Sequence, residues 1–390
     1  MSNSKRTSRL EALLTDIDLP DGAYERAERR YVDLSSWMSR PESILSKFDV
    51  HIFVQGSFAL GTAIRPVNPK EEYDLDFSCK LRTGVSRNSC SQSELKGMVR
   101  VELEAYRNAR GIHSPLESKH RCWRLSYQDA LAFHMDVVPA LRADDQYRAI
   151  LAERMSNAGL DRSLANEIAQ RAIWITDDQH PEFEKRTLNW PSSNPGGYQR
   201  WFLSRIEAGG PRALLERAQV DAVPVFRALQ PLQQVVQLLK RHRDVMFADA
   251  PDLKPASILI TTIAGQACFA GESLEMTLDR TLQRLEQLRA NRVTQILNPI
   301  NANENFADRW TGSNCPLRHN FFNWIDAARR DFSAWKSVDV PQQLMEIAND
   351  AFSVSLQPDD ARALAGGSST SPAPRAVSIQ SAPAPWRARG

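Results

Sequence analysis

Cysteine is scarce in this 390-residue chain. Its five residues, Cys79, Cys90, Cys122, Cys268 and Cys315, fall at no CxxC spacing, so neither a disulfide framework nor a thiolate zinc site organises the fold. Long apolar runs are missing as well. Nothing approaches the roughly 20 residues of a membrane helix, and the polar start Met1-Ser2-Asn3-Ser4-Lys5-Arg6 lacks the hydrophobic core of a signal peptide. A cytoplasmic protein with reduced thiols and no membrane partner is expected. Excess charge of one sign is also lacking: the formal net charge of +2 argues against a strongly electrostatic nucleic-acid binder. A local basic patch can still hide in a balanced total, so nucleic acid stays open as a partner.

What remains is an ordinary globular composition, 42% hydrophobic and 25% charged, in a chain long enough for two domains with substantial cores. The first part reads as a mixed sheet with helices. A charged amphipathic helix is expected over about 23–38, strands over 50–54, 73–80, 121–127 and 132–138, and a helix over 93–110, with Gln128-Asp129-Ala130 as the turn joining the last two strands.

Within that sheet the acids stand out. Side chains alternate along a strand, so Asp74 and Asp76 project from one face while Leu75 and Phe77 take the other. Asp136 lies in the apolar run Phe133-His134-Met135-Asp136-Val137-Val138, where an ionised carboxylate is costly unless paired or metal-bound. Three carboxylates at roughly 4 Å would repel by about 4 kcal/mol per pair at an effective dielectric near 20. Two Mg²⁺ ions, or Mn²⁺, would remove that repulsion and could stabilise both oxygens of an in-line phosphoryl displacement. Upstream, Gln55-Gly56-Ser57 breaks the strand 50–54 before a helical turn. A glycine there lets backbone N–H groups approach phosphate, and Ser57 can donate its hydroxyl. The expected site is therefore Asp74, Asp76 and Asp136 as catalytic metal ligands, with Gln55, Gly56 and Ser57 at a triphosphate. His134 alternates onto the face of Asp136 and is read as a core histidine or a partner of the acid rather than a metal ligand.

These residues carry a family resemblance. Gln55-Gly56-Ser57-Phe58-Ala59-Leu60-Gly61-Thr62, Glu72-Tyr73-Asp74-Leu75-Asp76-Phe77 and Met135-Asp136-Val137-Val138-Pro139 resemble the bacterial CD-NTases, relatives of cyclic GMP-AMP synthase and oligoadenylate synthase. Ser193-Asn194-Pro195-Gly196-Gly197-Tyr198 looks like another segment of that family, although relatives often carry a lysine at the place of Gly196. Gln237-Leu238-Leu239-Lys240-Arg241-His242-Arg243-Asp244, Lys254-Pro255-Ala256-Ser257-Ile258 and Asn303-Glu304-Asn305-Phe306-Ala307-Asp308-Arg309-Trp310 resemble its helical signatures.

The resemblance implies an α+β fold: a polymerase-beta-like nucleotidyltransferase core with an N-terminal brace helix at 1–165, a helical domain at 166–365 and a disordered tail at 366–390. It also implies that NTPs, ATP foremost, are joined with loss of pyrophosphate. The product would be a cyclic di- or trinucleotide containing adenine, a second messenger in anti-phage defence. Addition of nucleotides to RNA, synthesis of a linear oligonucleotide, and an inactive binding module are the alternatives.

In the helical half, Val235, Leu238, Leu239, His242, Val245 and Met246 recur at helical spacing as one buried stripe, with Lys240 on the opposite side. By position Lys240 is either a solvated lysine or, by the resemblance, a triphosphate ligand. Pro255 suits a helix's first turn, and Ser257 is either an ordinary capping or surface serine or, by the resemblance, a second phosphate ligand. Tyr198 either stacks on a base or packs on its own domain, and Arg65 and Lys70 either contact phosphate or decorate a loop. The tail ends in Trp386-Arg387-Ala388-Arg389-Gly390. Some members of the resembling family are conjugated through their C-terminus, so Gly390 is a candidate attachment point for an activating or conjugating partner protein.

Overall fold

The computed structural model describes residues 8–68, 73–127, 133–207, 228–312 and 315–366. Lys70, the turn at 128–130 and the tail with Gly390 lie outside them. The chain opens with two helices that part company. Helix α1 (Arg9–Ile17) is started by a reciprocal cap between Ser8 and Glu11. Its Leu10, Leu13, Leu14 and Ile17 enter the core of the helical half. Helix α2 (Asp21–Ser39) buries Ala23, Ala27, Tyr31, Leu34 and Met38 in the core around the sheet. The N-terminal brace is thus two helices joined at 18–20, one on each lobe.

Strand β1 (Val50–Gln55), the short helix α3 (Gly56–Leu60), strand β2 (Tyr73–Leu81) and helix α4 (Gln92–Ala109) follow. Then come β3 (Glu117–Ser118), β4 (Trp123–Tyr127) and β5 (Phe133–Arg142), so the expected strands all form. The sheet order is β1-β2-β5-β4-β3, with β2 and β5 parallel and the other neighbours antiparallel. One face packs on α2 and α4, where Tyr31 stacks on Phe77 at 5.0 Å between ring centroids. The other face carries the acids.

Helices α5 (Asp145–Asn157) and α6 (Arg162–Ala169) lead to β6 (Ile173–Ile175) and β7 (Ser192–Ser193), which extend the sheet from the far half of β5. Helix α7 (Pro195–Ser204) begins at Asn194, whose side chain accepts from Gly197 N at 2.9 Å and donates to Ile168 O at 2.9 Å. A Cβ on Gly197 would overlap that capping side chain, so the Asn-Pro-Gly-Gly pattern is explained as a helix start. The sheet-lobe core therefore runs on through Tyr198, Trp201 and Phe202, past residue 165.

The helical half comprises α8 (Pro231–Met246), α9 (Ser257–Ala267), α10 (Leu274–Ala290), α11 (Pro316–Ser337), α12 (Pro341–Phe352) and α13 (Pro358–Leu364). A β8 (Leu297–Asn298) and β9 (Asn301–Asn305) hairpin interrupts it, so the 303–310 segment is strand and turn where helix was expected. Helix α8 also differs from expectation. Its stripe holds for Val235, Leu238, Leu239 and His242 but ends there, since Met246 is exposed and Phe247 is buried instead. Its polar face is buried as well, because α8 lies between the lobes. Among the described residues no helix is long and apolar enough to cross a membrane.

Candidate active site

Register brings the acids together. Asp76 on β2 pairs with Asp136 on the parallel β5, with Gln55 on β1 and Arg124 on β4 at either end of the same row. The next row is Asp74, His134 and Ser126. Paired residues on neighbouring strands share a face, so seven side chains from four strands face one patch.

Each acid has its own electrostatic setting. Burial pushes the Asp76 carboxyl up to about 7, and the negative charges of Asp74 and Asp136 push it the same way. Burial would also raise Asp74, but the His134 imidazole that pairs with it and the Arg124 guanidinium hold it below the usual range. Asp136 is gripped by Arg124 through two bonds, Nε to Oδ1 and Nη2 to Oδ2, both 2.7 Å. Histidine 134 is thus a partner of an acid, as its position suggested, and the acid is Asp74.

Gly56 shapes the near wall. It starts α3 at φ +67°, and a Cβ there would overlap Asp76 Oδ2 and stand 3.2 Å from its Cγ. Only glycine leaves room for that carboxylate. Ser57 follows at the start of the turn, which Thr62 N closes by donating to Ser57 O at 2.9 Å. Gln55 is on the row, yet its side chain accepts from Ser78 Oγ at 3.0 Å, and Gln55 does not line the cavity.

The patch opens into a cavity of about 410 Å³ between the lobes. Gly56, Ser57, Thr62, Asp74 and Asp76 line one side, and Lys240, Arg243, Asp244, Lys254 and Ser257 the other. Ser257 is the first residue of α9 and Ala256 its cap, so Pro255 precedes the helix instead of standing in its first turn. No side chain caps this helix start, and Ser257 Oγ accepts from Arg243 Nη1 at 2.7 Å. Arg243 and Lys254 also surround Asp244, at 2.7 and 3.2 Å. A larger cavity of about 610 Å³ lies beside α2 and α4, but none of the three acids lines it.

Lys240 is neither solvated nor free in the cleft. It is buried and donates from Nζ to Thr62 O at 2.7 Å; burial, with Arg243 nearby, brings its ammonium down to about 8. It is one rung of a ladder from α8. Gln233 donates to Leu60 O and Gln237 to Ala63 O, each at 2.9 Å, and Arg241 to Arg65 O at 2.8 Å. These bonds hold the segment after the Gly56-Ser57 turn against the helical lobe. Arg65 itself is exposed, its backbone anchored to α1 and α8. Tyr198 is buried, with its hydroxyl 2.8 Å from Thr262 Oγ1 on α9 and its ring against Trp201 and Phe306, so it packs in the interior between α7 and α9.

Arg124, Arg243, Asp244 and Lys254 were not singled out from sequence. Arg124 is visible only once the β4–β5 register is known; the other three sit within the segments quoted above, but nothing in their spacing marks them as cleft residues.

The donor set fits divalent cations: three hard carboxylates, one of which, Asp76, is pushed up to about 7 by burial and by the charges of Asp74 and Asp136. Among the described residues no three potential ligands form a ready-made metal cage, because Asp74 faces His134 and Asp136 faces Arg124.

Comparison with known proteins agrees with this geometry. Residues 50–139 match the family described as cyclic GMP-AMP synthase DncV-like, nucleotidyltransferase domain. The chain is 30% identical over 331 residues to a c-di-GMP synthase of Roseivirga ehrenbergii, covering 82% of this chain and 76% of that one. Among solved structures, the Bradyrhizobium diazoefficiens CD-NTase CdnG in complex with GTP superposes with a TM-score of 0.63 at 19% identity, covering 91% of this chain and 96% of that one. A CdnC:HORMA-deltaN complex from E. coli MS115-1 gives a TM-score of 0.56 at 16% identity, with 91% and 98% covered. The chain belongs to the bacterial CD-NTase family and is a cyclic oligonucleotide nucleotidyltransferase.

Proposed function

We propose that this enzyme joins two guanosine triphosphates into a cyclic dinucleotide, using Asp74, Asp76 and Asp136 on the sheet lobe and the basic wall of the helical lobe. The observation that carries this reading is that Asp74 and Asp76 face Arg243, Lys254 and Ser257 across one cavity, with Asp136 paired to Asp76 on the next strand, outside the cavity lining. The guanine choice rests on the relatives, one named a c-di-GMP synthase and another solved with GTP. It replaces the adenine expected from the family resemblance, with ATP as the competing substrate.

Mg²⁺ or Mn²⁺ would be held by Asp74, Asp76 and Asp136 and would neutralise charge on the attacking and leaving oxygens. The donor triphosphate lies between the Gly56-Ser57 turn and the uncapped start of α9, where Ser257, Arg243 and Lys254 meet its negative charge. Lys240 acts one step back by holding Thr62 and with it the turn. The acceptor ribose hydroxyl attacks the α-phosphorus; the new P–O bond forms as the bond to the β-phosphate oxygen breaks, and pyrophosphate leaves. Asp136 stands beside Asp76 to accept the hydroxyl proton. Because the work is positioning and charge neutralisation, no nucleophilic side chain is needed. Repeating the step on the first nucleotide closes the ring.

A cytoplasmic setting, where nucleoside triphosphates are available and thiols stay reduced, suits the five unpaired cysteines. A signalling role in anti-phage defence follows from the family. An activating or conjugating protein is the expected partner; the neighbour CdnC is solved in complex with HORMA-deltaN. Incubation with GTP, ATP and Mn²⁺, followed by mass spectrometry and phosphatase treatment, tests the reading. We expect a phosphatase-resistant guanine dinucleotide, lost with pyrophosphate release in Asp74→Ala/Asp76→Ala. A phosphatase-sensitive product, or turnover retained in the double variant, refutes it.

A further inference from the structure

We propose that Arg124 is a built-in counter-ion that a divalent cation must displace from Asp136, so that metal loading of the free enzyme is held weak until a nucleotide brings its own negative charge. The inference rests on the metal-binding reading of the three acids. The geometry behind it is specific. Arg124 stands directly opposite Asp136 in the β4–β5 register, and its fork engages both carboxylate oxygens at 2.7 Å. The same Nη2 reaches to 3.8 Å from Asp74 Oδ1. One guanidinium therefore sits between two of the three acids, in the place where positive charge is most favourable. Asp136 is largely buried, with 13% of its side-chain surface exposed, so this pair is poorly screened by water.

A divalent ion at Asp76 and Asp136 competes with this arrangement twice. It needs a lone pair that now faces an N–H, and it meets a positive charge one strand away. An incoming triphosphate in the cavity that Asp74 lines offsets both, because its negative charge arrives beside the acid that Arg124 Nη2 approaches to 3.8 Å. Arg124 is a positioning residue in this account, acting through Asp136.

The test is Mn²⁺ binding to nucleotide-free protein, read as free Mn²⁺ by electron paramagnetic resonance, with folding checked by circular dichroism. Removing one nearby positive charge in Arg124→Gln should tighten Mn²⁺ binding about tenfold, and the gain should vanish when Asp136→Asn is added. If Arg124→Gln does not fold, Arg124→Lys carries the test: an ammonium cannot hold both oxygens, and affinity should still rise about threefold. Affinity unchanged or weakened in the folded variants overturns the proposal. If Asp136→Asn alone weakens Mn²⁺ binding in that case, only the role of Arg124 fails. Asp136→Asn binding as wild type does would overturn the metal site as well.

Discussion

Replacing Gly56 by alanine separates two effects that the structure keeps distinct. The first is backbone strain: at φ +67° an alanine costs about 1–2 kcal/mol, partly offset by about 0.4–1 kcal/mol from the stiffer unfolded chain. A net loss near 1 kcal/mol leaves a protein of ordinary stability, about 5–15 kcal/mol, almost entirely folded at 25 °C. The second effect is the overlap of the new Cβ with Asp76 Oδ2. That carboxylate is the end of a short side chain and can turn away, so the overlap adds little to the stability loss. It does move an oxygen that the proposed mechanism gives to the metal, and a misplacement of about 1 Å costs roughly 100-fold in rate. We therefore expect Gly56→Ala to melt only a few degrees early yet lose about 100-fold or more in pyrophosphate release. Gly111→Ala is the control: it has φ +63° and nothing within 4 Å of the new Cβ, so it isolates the backbone cost. Should Gly56→Ala keep more than about a tenth of wild-type turnover, or Gly111→Ala lose as much as Gly56→Ala, the argument fails.

Three other expectations follow from the geometry. The Asp76 carboxyl titrates near 7 in the fold against an ordinary value of 3.8, so its favourable contribution is complete below about pH 4 and is lost as pH rises through 7. In EDTA, Asp76→Asn should therefore gain stability on wild type between pH 5 and 8, by at most about 4 kcal/mol; parallel denaturation curves at both pH values would contradict this. Lys240→Met strands the Thr62 carbonyl and should cost about 1–3 kcal/mol in denaturant unfolding; unchanged stability with lost NTP binding would make Lys240 a direct phosphate ligand instead. Tyr198→Phe removes the bond to Thr262 and should cost about 1 kcal/mol while leaving the KM for NTP unchanged; a raised KM would restore the stacking role.

Local pattern was enough for much of the sheet lobe. Alternation put Asp74 and Asp76 on one face, and the apolar run around Asp136 marked a buried strand, because a period of two is written directly in the chain. The capping pattern Ser8-Arg9-Leu10-Glu11 was equally readable and marks α1, a helix not anticipated. Arg124 was a different matter. A turn at Gln128-Asp129-Ala130 would set Arg124 opposite His134, whereas the observed pairing of Tyr127 with Phe133 sets it opposite Asp136. Two residues of loop length decide which acid the guanidinium meets.

Helix α8 shows the limit most clearly. Its apolar stripe is visible in the sequence, and the opposite face reads there as solvent-facing. Only the docking of two lobes buries Gln233, Gln237, Lys240 and Arg241 and gives each a backbone carbonyl of residues 60–65. The sequence by itself determined that Asp74 and Asp76 share one face, since strand alternation is a local property. The tertiary structure decided which cations face them, because a helix face acquires its partner only when the long-range contacts form.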